Sequence, residues 1–175
     1  MILNYNELES LKELNKNKKI GLFKGTFDLI HHDHIKLMNE VKKYCDLLVI
    51  EVKSDKDVRN KKGKNRPIIN QNDRAYIVDN IKCVDFTIIA SKKEETGMIS
   101  DLIFKKEYSK KEIEKVLRDG FLIEKLHPDI IFTSTEKPVP KIIIDLCNNL
   151  NIEIKILPMR EGLHTTDIIE KCKKE

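Results

Sequence analysis

The stretch GTFDLIHHDH, residues 25 to 34, sets His31, His32 and His34 directly behind a glycine-led turn that follows the apolar run KIGLF. Imidazoles are the side chains best suited to donating hydrogen bonds or moving protons near neutral pH. Gly25 permits an unusual backbone angle or the close approach of a ligand, and Thr26 with the loop amides can face an anion at the N-terminus of the helix that follows. His31 and His34, three positions apart, share a face on its first turn. Three chemistries compete. A metal site would take Asp28 or Asp33 as its third ligand, although two histidines at this spacing on a turn make a weak zinc pattern. Histidines also cap or pack at helix starts without chemical work. The third reading makes them donors to phosphate oxygens, strengthening as negative charge grows in a transition state.

The elements that must hold these residues recur in step. Apolar runs at 19–23, 46–52, 84–90, 129–132 and 152–157 read as five strands, with segments of helical apolar spacing between them, such as Ile35, Leu37, Met38 and Val41. Strand and helix in alternation predict an α/β fold: a Rossmann-like, doubly wound parallel sheet with right-handed crossovers. Ligands in such sheets bind beyond the carboxyl ends of the strands, where residues 24 to 34 lie. Residues 1–17 form a helical extension, with a helix over roughly 5–14. Residues 93–125 are too long for one connection and read as an inserted helical pair, in which Gly120 could end a helix.

Bulk properties set bounds on partners. A chain of 175 residues is about one domain long, and 35% charged residues with 6% aromatics and no Trp describe a globular protein with a heavily solvated surface. The net charge of +4 suits anionic small molecules, and no aromatic stacking platform stands among the basic residues to favour nucleic acid. Cys45, Cys83, Cys147 and Cys172 show no zinc spacing and read as reduced thiols. No apolar stretch is long enough for a signal or a membrane span, so the expected location is cytoplasmic.

Gly25, Phe27, Asp28, His31 and His34 match the GxFDxxHxGH signature, and on these residues the chain resembles the cytidylyltransferase-like nucleotidyltransferases. The resemblance continues in SDKDVRNKKGKNRPIINQNDR (54–74), where Lys62, Gly63, Arg66, Pro67 and Arg74 fill the family's places, and in LPMREGLHTTDII (157–169). It implies transfer of a nucleoside monophosphate from a nucleoside triphosphate to a phosphorylated polyol, sugar or amino alcohol, with pyrophosphate released. The attacking phosphate is already ionised, so positioning and charge neutralisation are the work required.

By matching positions, the resemblance makes His31, His34, Lys62 and Arg74 catalytic. The histidines would meet the triphosphate, Lys62 would close over it from a basic loop at 59–66, and Arg74 would hold its β/γ end or the acceptor. Lys24, Gly25, Thr26, Phe27, Asp33, Thr133, Ser134, Arg160, Thr165 and Thr166 would line the nucleotide site, with Thr165 and Thr166 capping the last helix. The family implies magnesium as the cofactor, no protein metal ligands, and a homodimer. The closing segment resembles the glycerol-phosphate and choline-phosphate cytidylyltransferases and leans towards CTP; KKGKNRP resembles the heptose-phosphate adenylyltransferases at least as well. Asp33 stands where the signature has glycine and sets a carboxylate beside a polyanion. A catalytically silent nucleotide-binding module is the alternative that this raises.

Overall fold

A computed structural model describes residues 1–90, 97–105, 107–134, 138–158 and 169. Its six strands, all parallel, run β1 (Ile2–Leu3), β2 (Ile20–Gly25), β3 (Leu47–Val52), β4 (Phe86–Ile89), β5 (Ile130–Ser134) and β6 (Glu153–Leu157), in the spatial order β1-β4-β3-β2-β5-β6. Five of them coincide with the apolar runs. The sixth, β1, is two residues long, and only its pairing with Thr87 and Ile88 of β4 makes it a strand. No local period exists in two residues for a sequence to display.

The helices are α1 (Leu8–Leu14), α2 (His32–Lys42), α3 (Asp55–Lys62), α4 (Gln71–Asp79), α5 (Gly97–Lys105), α6 (Lys110–Leu126) and α7 (Lys141–Asn149). Side chains alternate across the sheet, so each strand feeds two cores. Leu22, Val49, Ile88 and Ile131 pack under Leu8, Val116, Leu122 and Leu146 from α1, α6 and α7. On the opposite face Phe23, Leu48, Ile50 and Phe132 meet Met38 and Val41 of α2 and Ala75 and Val78 of α4. The first helix of the inserted segment, α5, adds Ile99 and Leu102 to the core under α6 and α7.

Three caps follow from residue types at the helix starts. Ser54 accepts from Asp57 N, Asn70 from Asn72 N and Asp73 N, and Ser109 from Glu112 N. Gly120 departs from its expected place at a helix end. It lies inside α6, where an added Cβ would come within 3.1 Å of Ile99 Cδ1 and 3.2 Å of Leu146 Cδ2. Its missing side chain therefore lets α6 sit close against α5 and α7. The helix ends instead at His127, in the left-handed region at φ 45°.

Candidate active site

Strand β2 pairs with β3 on one side and β5 on the other, so strand order reverses there, and ligands in such sheets bind beyond the carboxyl ends of the strands at that point. The signature loop leaves β2 there. Gly25 needs no unusual φ; its place is dictated by Phe27, whose ring lies 2.4 Å from where a Cβ would stand. Phe27 is buried, adopts φ 53°, and packs at a ring distance of 5.9 Å on both Phe23 and His34. With Leu29 at φ 48°, two non-glycine residues hold left-handed backbone in this one turn, a strain that surrounding contacts must overcome. Gly25→Ala is expected to destabilise the fold by about 1 to 3 kcal/mol through overpacking, read as a lower urea midpoint at unchanged slope.

Asp28 does much of that holding. Its carboxylate is 2% exposed and accepts from Arg66 Nε at 2.8 Å and from the backbone of Ile68 and Ile69 at 3.1 and 3.0 Å. The signature aspartate thus ties the histidine loop to the Arg66-Pro67 segment, and it does not stand as a third metal ligand. Asp33, in the first turn of α2, lies 3.1 Å from His32 Nε2 and 3.9 Å from His31 Nδ1. An acid there favours the helix N-terminus. His31, His32 and Asp33 hold their ligand atoms within 4.8 Å of one another, with the His32 side chain largely exposed.

His31 and His34 come together at the start of α2, ring centres 4.0 Å apart. The backbone N–H of His31 donates to His34 Nδ1 at 3.3 Å, so neutral His34 carries its proton on Nε2 as a donor. Burial first, then the charges of His31 and Lys62, push its pKa down to about 4 although Asp33 pulls it up. Because the folded value lies below the ordinary 6.5, the unfolded chain takes up a proton first on acidification. Stability present above pH 6.5 is lost as pH falls through about 4. The melting temperature of His34→Gln is expected to fall less over that window than that of the wild type.

Lys62 ends α3 rather than riding a loop, and Gly63 caps that helix at φ 95°. Its ammonium is felt by His34, which puts it on the histidine side of the site. Arg74 takes a place different from the expected one. Fully buried, it donates to Ile69 O, Thr26 O, Lys53 O and Asp55 Oδ1. Four of its five N–H groups are thus committed to protein, which makes it a tie between the signature loop and the ends of β3 and α3. Thr26 is held through its carbonyl. Thr133 and Ser134 end β5 beside β2, while Arg160, Thr165 and Thr166 lie outside the described residues.

Lys24 points to the other sheet face. Its amine donates to Asp119 O at 3.0 Å and lies 3.4 Å from Glu51 Oε2. Asp55, Lys53, Glu51 and Asp119 were not singled out by sequence reasoning. The signal for Glu51 was present: a carboxylate inside LLVIEV, a strand buried at all six positions.

The switch point of this parallel sheet carries paired imidazoles at the N-terminus of α2, in a fold of the nucleotide-binding α/β class. The chain belongs to the cytidylyltransferase-like family, whose model matches residues 22–171. It is 29% identical over 167 residues to the bifunctional protein HldE of Helicobacter pylori strain P12, covering 95% of this chain and 30% of that one. The HldE of Aliarcobacter butzleri is 40% identical over 97 residues, 54% of this chain and 20% of that protein. The chain spans less than a third of the length of these curated relatives. Among solved structures, a lipopolysaccharide core biosynthesis protein from Thermoplasma volcanium superposes with a TM-score of 0.56 at 25% identity, over 83% of this chain and 99% of that one. A pantoate-beta-alanine ligase from Francisella tularensis shares the fold, at a TM-score of 0.64 and 18% identity over 99% of this chain and 77% of that one. Among the described residues no helix is long and apolar enough to cross a membrane.

Proposed function

We propose that the protein transfers an adenylyl or cytidylyl group from the nucleoside triphosphate to a sugar phosphate, releasing pyrophosphate, and that the adenylyl reaction is the favoured one. The sequence leaned to CTP; the likeness to HldE over 95% of the chain, together with KKGKNRP, supports ATP. The observation that carries the reading is the His31/His34 pair, 4.0 Å apart at the N-terminus of α2 and beside the switch point.

In the reaction, an acceptor phosphate oxygen forms a bond to the α-phosphorus as the bond from that phosphorus to the β-bridging oxygen breaks. Pyrophosphate leaves with the electron pair. His34 donates from Nε2 to the α-phosphate or the departing oxygen, His31 and Lys62 add donors on the same side, and Arg74 and Asp28 keep the loop in place. Among the described residues, the carboxylate of Asp28 is engaged with Arg66 and two amides and that of Asp55 with Arg74, so these two acids are committed to the protein. Magnesium would arrive on the triphosphate, where it offsets phosphate charge. A dimer, as the family implied, is a separate proposal for sedimentation to test.

Thermal shift with ATP, CTP, GTP and UTP, on the wild type and on Asp33→Gly, tests the nucleotide half. A ligand at a hundredfold excess over its dissociation constant adds about 2.7 kcal/mol. Selective stabilisation of the wild type by ATP, followed by pyrophosphate release that needs a sugar phosphate, is the expected outcome. Response by Asp33→Gly alone would favour the silent-module alternative.

A further inference from the structure

The mechanism above leaves one charged cluster unused. Lys53 Nζ donates to Asp119 Oδ1 at 3.0 Å, Lys115 pairs with the other oxygen of that carboxylate, Lys24 donates to Asp119 O at 3.0 Å, and Glu51 lies 3.4 Å from Lys24. Glu51 and Asp119 are 1% and 3% exposed. Burying ions costs several kcal/mol each before pairing offsets it, and apolar replacements usually hold a fold as well or better. The rest of α6 docks that way, through Val116, Leu122, Ile123 and Leu126. Docking alone thus gives no reason for three ammonium groups against two carboxylates at this spot.

Position supplies a reason. Lys24 is the residue before Gly25, and Lys53 follows β3, its N–H donating to Gly25 O. Both flank the signature loop at the carboxyl edge of the sheet, where ligands bind in this class of fold. By strand alternation Lys24 and Glu51 share the face of Leu22 and Val49, under α6, whereas α2 with its histidines packs on the opposite face. In-line transfer needs cations on two sides of the α-phosphorus, one set for the leaving pyrophosphate and one for the incoming phosphate. The histidine side holds the first set.

We infer that Lys24 and Lys53, held by Asp119 of the inserted helix α6, form the seat for the phosphate of the acceptor. Asp119 is a positioning residue: its carboxylate aims Lys53, its backbone carbonyl accepts from Lys24, and it touches no substrate. Gly120 beside it lets α6 lie deep enough to bring that carboxylate to the sheet edge. Helix α6 is then part of the acceptor site, with an anion-terminated sugar as its ligand. This rests on the transferase reading for its choice of phosphate.

The test titrates the full chain, alone and with ATP, with mannose 1-phosphate, inorganic phosphate and unphosphorylated mannose, following lysine side-chain nitrogen signals by NMR. Both phosphates are expected to shift Lys24 and Lys53 saturably while mannose does not. Lys53→Met should weaken phosphate binding about tenfold or more, as loss of a charge-assisted bond would, and leave ATP binding within about twofold. Lys53→Met with Asp119→Leu removes the buried pair together and leaves only the partly exposed Lys115 to turn to solvent, so it keeps the fold and loses the seat. With turnover, Asp119→Asn should raise KM for the acceptor more than it lowers kcat. Phosphate that shifts neither lysine, or binds equally to both variants, overturns the seat whatever ATP does. Shifts at these lysines without nucleotide binding would uphold the seat and remove the transferase reading.

Discussion

Replacement of Arg74 by methionine is expected to cost about 3 to 5 kcal/mol of stability, the range for removing one partner of a buried ion pair. The loss is large because Arg74 is 0% exposed and serves four acceptors at once. Without it the carboxylate of Asp55 and the carbonyls of Thr26, Lys53 and Ile69 lose their donor in a site where water has little access. Lysine should not rescue, since one ammonium on a flexible stem cannot reproduce a planar fork. Urea denaturation of the two variants checks this. A variant within about 0.5 kcal/mol of wild type, the scatter of an ordinary surface change, would return Arg74 to direct substrate contact.

His34→Ala is expected to lower turnover by 10² to 10³, about 2.7 to 4 kcal/mol, the usual cost of removing one preorganised donor to developing charge. Its setting is prepared for that work. Nδ1 is occupied by the His31 amide, Nε2 is left as the donor, and a ring of Phe27 packs at 5.9 Å. Held neutral in the free protein with a pKa near 4, His34 should rise in pKa when the triphosphate binds, because the polyanion favours its charged form. Pyrophosphate release gives the first quantity and NMR titration of the imidazole the second. Undiminished turnover in His34→Ala would defeat the assignment, and an unmoved pKa on nucleotide binding would take the phosphate off this face.

Much of the architecture was legible locally. Fully buried parallel strands are continuous apolar runs, and five such runs separated by helical spacing leave few topologies open. The pairing of His31 and His34 was legible for the same reason: the two lie within one turn, so their spacing in sequence is their spacing in space. Glycine was harder. Gly25 and Gly120 both suggested backbone freedom, yet each is small because something else must come close, Phe27 over one and neighbouring helices against the other.

The sequence by itself determined the class of fold, the pairing of histidines in one turn and the family, because each is written in short-range pattern. Tertiary structure alone decided what the charges do. Arg74 and Thr26 are 48 positions apart, Arg66 and Asp28 38 apart, and Lys53 and Asp119 66 apart. No period or motif links residues at such separations. Whether an arginine meets a substrate or four groups of its own chain depends on which acceptors surround it, and folding brings those acceptors from several elements at once.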